Sequence, residues 1–178
     1  SITEADIKVY LQMQKLLDGI GAPFNIPLDY IKSAPYLMSF MRDYQLKRHV
    51  ERYFKEHPGE TGTINDSFFW LDRRQINRYA KIPSNNARLE RMMECSFRNG
   101  AELLLWVPPA KPYYDFQGVY KNTTGFTKTL VFSSWEMVPR MVASMVSYEA
   151  ERRTIGRLAK ANEDRNAQYF SSGDKRSP

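Results

Sequence analysis

Ser133, Ser134, Trp135 and Arg140 are the residues of this chain best suited to do chemistry together. The serines offer two hydroxyls, Trp135 a stacking face and Arg140 a cation. Hydroxyls, an aromatic face and a guanidinium are groups that hold a phosphodiester backbone. The same residues also read as a helix cap beside a buried tryptophan, and sequence spacing alone leaves both readings open. Two basic stretches form a second candidate surface. The first holds Arg42, Lys47, Arg48, Arg52 and Lys55. The second holds Arg73, Arg74, Arg78, Lys81, Arg88 and Arg91, with Tyr79 among them. Glu51, Asp72 and Glu90 neutralise part of each, and helical projection does not place all the cations on one face. Backbone binding through such clusters would be salt-sensitive and indifferent to base sequence.

Other chemistries find little footing. The chain contains no Gly-x-x-x-x-Gly-Lys-Ser/Thr loop to cradle a triphosphate and no Gly-x-Gly-x-x-Gly. His49 and His57 lack a His or Cys partner at ligand spacing, so they read as solvated histidines and no metal site is expected. Cys95, the single cysteine, excludes an internal disulfide and suits a reducing, cytoplasmic compartment. It lies beside Met92 and Met93 and reads as a small core residue.

With 178 residues, 42% of them hydrophobic and 26% charged, the chain can bury a core. No apolar run approaches the ~20 residues of a membrane helix, and no signal peptide is expected at Ser1–Asp6. The net charge of +6 tilts toward a polyanionic partner.

The candidate residues must be positioned by mostly helical elements. Thr3 suits a helix N-cap, with Glu4 and Asp6 in the first turn and Val9, Met13, Leu16, Leu17 and Ile20 at helical spacing. Gly19, Gly21 and Pro23 end that helix, and residues 28–33 form a short turn of helix. From Pro35, placed at a first helical position, the pattern is helical to His57, with a possible break at Lys47–His49. Residues 58–63 are turn chemistry and mark an internal boundary. A short charged helix over 71–80 follows, then a turn and cap at Pro83–Asn86. Ala87–Arg98 is helical, with Gly100 as its C-terminal cap. Leu103–Val107 and Thr129–Ser133 have strand length, and Phe116–Tyr120 reads as an irregular strand. Pro139 sets the start of a long helix that buries Val138, Met141, Val142, Met145, Val146 and Tyr148 and runs to about Ala161. The polar loop Ser133–Met137 therefore sits at the carboxyl end of a strand, where open α/β sheets bind ligands. Two or three strands fall below the usual ~4–6, so a sheet edge is expected to be open to self-association. Residues 171–178 are expected to form a flexible tail.

Thr129–Trp135 resembles the strand that opens the second RecA-like lobe of Swi/Snf-type superfamily-2 helicases. The longer run Trp135–Arg152 resembles a bacterial branch of helicase-related proteins associated with defence against foreign DNA. Tyr30–Leu37, Leu105–Pro109 and Pro112–Tyr114 resemble interlobe segments of the same branch. The resemblance implies a mainly α fold with a small α/β part: a bundle-like helical region, then an incomplete RecA-like strand–loop–helix unit. It assigns 1–60 to a helical linker or insertion, 61–127 to a helical-to-strand connector, and 128–170 to the start of the second lobe. It further implies that the parent protein hydrolyses ATP with Mg²⁺, while this segment alone is not catalytic. The P-loop and Asp-Glu box would precede Ser1, and the arginine-finger motif would follow Pro178. The implied partners are duplex DNA and the remaining helicase lobes. Ser133, Ser134, Trp135, Arg140, Arg74, Arg78, Lys81 and Arg88 are the expected backbone contacts. The alternative is a self-standing helical module that dimerises or docks a protein partner through its open edge and Met-rich helices.

Overall fold

The computed structural model describes residues 2–21, 28–58, 66–104, 115, 117, 118, 121 and 129–158. These residues are mainly helical, and no strand occurs among them. The helices are α1 (Glu4–Gly19), α2 (Leu28–Ser33), α3 (Leu37–Phe40), α4 (Gln45–Glu56), α5 (Arg73–Asn77), α6 (Ala87–Ser96) and α7 (Met137–Leu158). Short 3-10 turns occupy Asp66–Phe68 and Arg98–Leu104. The chain divides into two compact units. One comprises Ser1–Leu71, Pro83–Met92 and Val131–Ala143; the other comprises Asp72–Ile82, Met93–Leu130 and Ser144–Pro178.

In the first unit, α1 starts with a capping box. The Thr3 hydroxyl accepts from the Asp6 amide, and the Asp6 carboxylate accepts from the Thr3 amide at 2.8 Å. Two of the first-turn amides that a helix leaves unpaired are thereby satisfied. Val9, Met13, Leu16 and Leu17 are buried, as their spacing requires, and α1 packs on α2. Gly21 takes a left-handed φ of 57° just past the helix end. The core around them is rich in methionine: Met13, Met38, Met41, Met137 and Met141 are almost fully buried, with Leu16, Leu37, Val50 and Phe69. Each contributes about 1.5–3 kcal/mol relative to exposure, and the unbranched thioethers fill irregular gaps between short helices.

The short helices leave carbonyls without intrahelical partners, and side chains supply them. Lys47 Nζ donates to the Met41 carbonyl at 2.9 Å, and Arg140 Nη1 to the Phe40 carbonyl at 3.2 Å. Asn86 Nδ2 donates to the Lys32 carbonyl at 2.8 Å, while its Oδ1 caps α6 by accepting from the Leu89 amide at 2.9 Å. The Ala87 amide donates to Asp6 Oδ1 at 3.2 Å. Burial pushes the Asp6 carboxyl up, but the bonds from Thr3 and Ala87 outweigh it and leave its pKa lowered.

Several expectations are corrected here. Pro35 does not open a helix. Tyr36 takes a left-handed φ of 52° and α3 begins at Leu37. The Tyr36 hydroxyl donates to the Pro83 carbonyl at 2.7 Å and accepts from Asn85 Nδ2 at 3.1 Å, holding Tyr36 in place. Burial pushes its phenol up to about 12. The break in the 35–57 pattern falls at Met41–Tyr44, upstream of Lys47–His49, because Lys47 folds back onto the Met41 carbonyl. Leu103 and Leu104 belong to a 3-10 turn, not a strand, and Gly100 there has a φ of 75°. Residues 105–107, Phe116, Val119, Tyr120 and the 171–178 tail lie outside the described residues. Cys95 is exposed, not a core residue.

The largest correction concerns Thr129–Ser133. The segment forms no strand, and Leu130 and Phe132 are 80% and 88% exposed. A strand buries its side chains only against a sheet, and no other described segment pairs with this one. The α/β unit is therefore not seen among the described residues.

In the second unit, Tyr148 of α7 donates to the Ala80 carbonyl at 2.6 Å and lies 3.4 Å from the Gln75 carbonyl. Tyr79, with a left-handed φ of 52°, is buried, and its hydroxyl donates to Glu151 at 3.3 Å. Gly156 lies directly against Tyr79. Phe97, Leu104, Met145 and Ala150 are also buried in this unit.

Candidate nucleic-acid interface

Ser133, Ser134, Trp135 and Arg140 fall within one loop-to-helix segment of the first unit. Pro139 is the third residue of α7, a position whose amide would lack an intrahelical partner anyway, so its ring starts the helix without a lost bond. The Ser133 hydroxyl accepts from the Trp135 amide at 3.1 Å, and the Val138 amide donates to the Trp135 carbonyl at 3.1 Å. Those bonds fold the loop onto the start of α7. Ser133 and Ser134 are exposed and Trp135 is half-buried. The loop thus presents hydroxyls at the helix N-terminus, where α7 has the positive end of its dipole.

Arg140 is engaged inside the chain. Its Nη2 donates to Glu136 at 2.7 Å while Nη1 holds the Phe40 carbonyl. It anchors α7 to α3, and a phosphate would have to compete with Glu136 for it. Arg74, Arg78 and Lys81 are all exposed and belong to the second unit, on α5 and the turn after it. Asp72 caps α5 by accepting from the Arg74 amide at 2.8 Å, which leaves the Arg74 guanidinium outside that bond. Arg88 is exposed on α6, in the first unit. The expected contacts therefore divide between the two units. In the other basic stretch, Arg48 pairs with Asp43 at 3.2 Å and Lys47 lies 3.8 Å from Glu51, so part of its charge is neutralised.

His57 is exposed and stacks on Tyr53 with ring centroids 4.5 Å apart; His49 is half-buried. Among the described residues, no group of three or more His, Cys, Asp or Glu side chains is placed to hold a metal ion, and no helix is long and apolar enough to cross a membrane.

Sequence reading missed a charged cluster on the second half of α7. Glu149 is 7% exposed and accepts from Arg152 at 2.7 and 2.9 Å and from Arg153 at 2.7 Å. The Arg153 guanidinium also lies 4.6 Å from the centroid of Phe97. Burial pushes the Glu149 carboxyl up, but the hydrogen bonds and charges of both arginines outweigh it and lower its pKa. The i, i+3 and i, i+4 spacing of Glu149, Arg152 and Arg153 was the available signal. What it could not show was that the carboxylate is buried.

Comparison with protein-family models, curated proteins and solved structures gave no match.

Proposed function

We propose that this chain is a non-catalytic segment of an ATP-dependent DNA motor, bridging its lobes and touching the nucleic-acid backbone. The observation that carries the reading is the order of features over 129–158. An apolar run with no partner strand among the described residues, and with Leu130 and Phe132 exposed, leads into the hydroxyl loop Ser133–Ser134 and then into the 22-residue α7. An apolar run of this kind is what the first strand of a motor lobe presents when its sheet neighbours belong to the rest of a longer polypeptide. The small α/β unit of that lobe, its ATP and Mg²⁺ and its helicase family are part of this proposal. Exposed Arg74, Arg78, Lys81 and Arg88, on a chain of net charge +6, favour a polyanionic partner.

The test is anisotropy of a labelled DNA duplex titrated with the chain at about 50 and 200 mM salt. The reading expects weak binding that falls steeply with salt, a further loss on replacing Arg74, Arg78 and Lys81 by Ala, and no ATP turnover. Salt-independent binding, no binding at low salt, or measurable ATPase activity would overturn it.

The exposure of Leu130 and Phe132 also favours a second reading, a helical module that docks a protein partner through this run. That module would show no response to duplex DNA at either salt concentration.

A further inference from the structure

The charged cluster on the second half of α7 is not balanced. Arg152 grips the buried Glu149 carboxylate through Nε and Nη2, at 2.7 and 2.9 Å, and Arg153 grips it through Nε at 2.7 Å. Arg152 Nη2 and Arg153 Nε donate to the same oxygen, Oε1, so the two guanidiniums lie side by side. Two cations thus share one anion. No other carboxylate pairs with either arginine among the described residues. Glu151, the nearest acidic neighbour in sequence, accepts from Tyr79 instead. One positive charge is left over in a half-buried setting, where water screens it less than on an open surface. Both guanidiniums are also fixed in place. Glu149 holds their Nε groups, and Arg153 lies 4.6 Å from the centroid of buried Phe97. Nη1 of Arg152 and both Nη atoms of Arg153 make no hydrogen bond among the described residues. The two side chains are 26% and 31% exposed, and none of these nitrogens is shut off from solvent.

We infer that the Arg152–Arg153 pair binds a phosphoryl dianion, either inorganic phosphate or the terminal phosphate of a monoester. Charge and donor geometry select this class. An anion offsets the charge that Glu149 leaves over. Guanidinium forks are planar and take phosphate oxygens two at a time. The three guanidinium nitrogens outside the Glu149 bonds match the three terminal oxygens of a phosphate monoester. A phosphodiester offers two such oxygens and a single charge, so the nucleic-acid backbone fits this pair less well. Glu149 acts here as a positioning residue: it sets the two forks beside each other and leaves their remaining donors to the ligand. The inference does not rest on the nucleic-acid reading, which involves other residues.

Titration of the 178-residue chain with inorganic phosphate, followed through the arginine Nε–H signals in nitrogen–proton NMR spectra, tests it. The Nε–H signals of Arg152 and Arg153 should shift together along one saturable curve. Sodium chloride at matched ionic strength should not reproduce that curve. Arg153→Lys keeps the charge but loses the fork, and should weaken phosphate binding about tenfold or more, as loss of one charge-assisted hydrogen bond does. Arg152→Lys should do the same, and circular dichroism verifies that both variants fold. Phenyl phosphate separates the two sources. Binding as tight as that of inorganic phosphate assigns the site to an esterified phosphate, and binding of inorganic phosphate alone assigns it to the free ion. A titration without saturation, a response that chloride reproduces, or lysine variants as tight as the parent would overturn the inference. So would arginine signals that shift with a DNA duplex and with neither phosphate compound, which would place both residues in the nucleic-acid interface.

Discussion

Replacing Asn86 by Ala should produce a large loss of stability from a single side chain. Asn86 is 3% exposed and does two things at once. Its Oδ1 caps α6 through the Leu89 amide at 2.9 Å, and its Nδ2 satisfies the Lys32 carbonyl at the end of α2 at 2.8 Å. Loss of an N-cap costs about 1 kcal/mol, with a range of roughly 0.5–2. Leaving a buried carbonyl without its donor costs about 1–3 kcal/mol. The expected loss is therefore about 2–4 kcal/mol, and at about 2–4 °C per kcal/mol the melting temperature falls by roughly 5–15 °C. Asn86→Asp separates the contributions. Aspartate caps as well as asparagine, but it presents an acceptor to the Lys32 carbonyl. That variant should lose the bond to Lys32 while retaining the cap, and its deficit should shrink in acid, where a protonated carboxyl can donate. Urea unfolding followed by far-UV circular dichroism measures all of this. A loss below about 0.5 kcal/mol for Asn86→Ala, the range of ordinary surface substitutions, would refute the reasoning.

Gly156→Ala tests close packing in the second unit. An added Cβ would sit 3.0 Å from both Cβ and Cγ of buried Tyr79. Overpacking of about 1–3 kcal/mol should exceed the gain of roughly 1 kcal/mol in helix propensity, so the variant should melt below the parent. Glu149 has a folded pKa below its ordinary 4.5, so its stabilisation is present above that value and is lost as pH falls through the folded pKa. The urea midpoint should drop on acidification below about pH 4.5, and Glu149→Gln should flatten that slope. Phe132→Ser should leave the unfolding free energy unchanged within about 0.5 kcal/mol, because the ring is exposed. A loss of several kcal/mol would mean that Thr129–Ser133 is a buried strand after all.

The sequence by itself determined the helices whose signals are local. Thr3 with Asp6, the 9–13–16–17 spacing, the Asn86 cap and the position of Pro139 all involve groups within a turn or two of each other. Each was legible because a helix satisfies its own backbone and needs only a cap and an apolar face. The basic residues of the candidate interface were legible as types. The division of Arg74, Arg78 and Lys81 from Arg88, and the commitment of Arg140 to Glu136 and the Phe40 carbonyl, were not.

Tertiary structure decided whatever depends on a distant partner. Tyr36 is left-handed although it follows Pro35, a residue type suited to a first helical position, because its hydroxyl meets Pro83 and Asn85, 47 and 49 residues away. Lys47, a break in the pattern when read along the chain, is the cap of the preceding turn in space. The run Thr129–Ser133 has strand composition and no strand structure. Composition states what a segment would do inside a sheet, and the hydrogen bonds that make a strand come only from a neighbour.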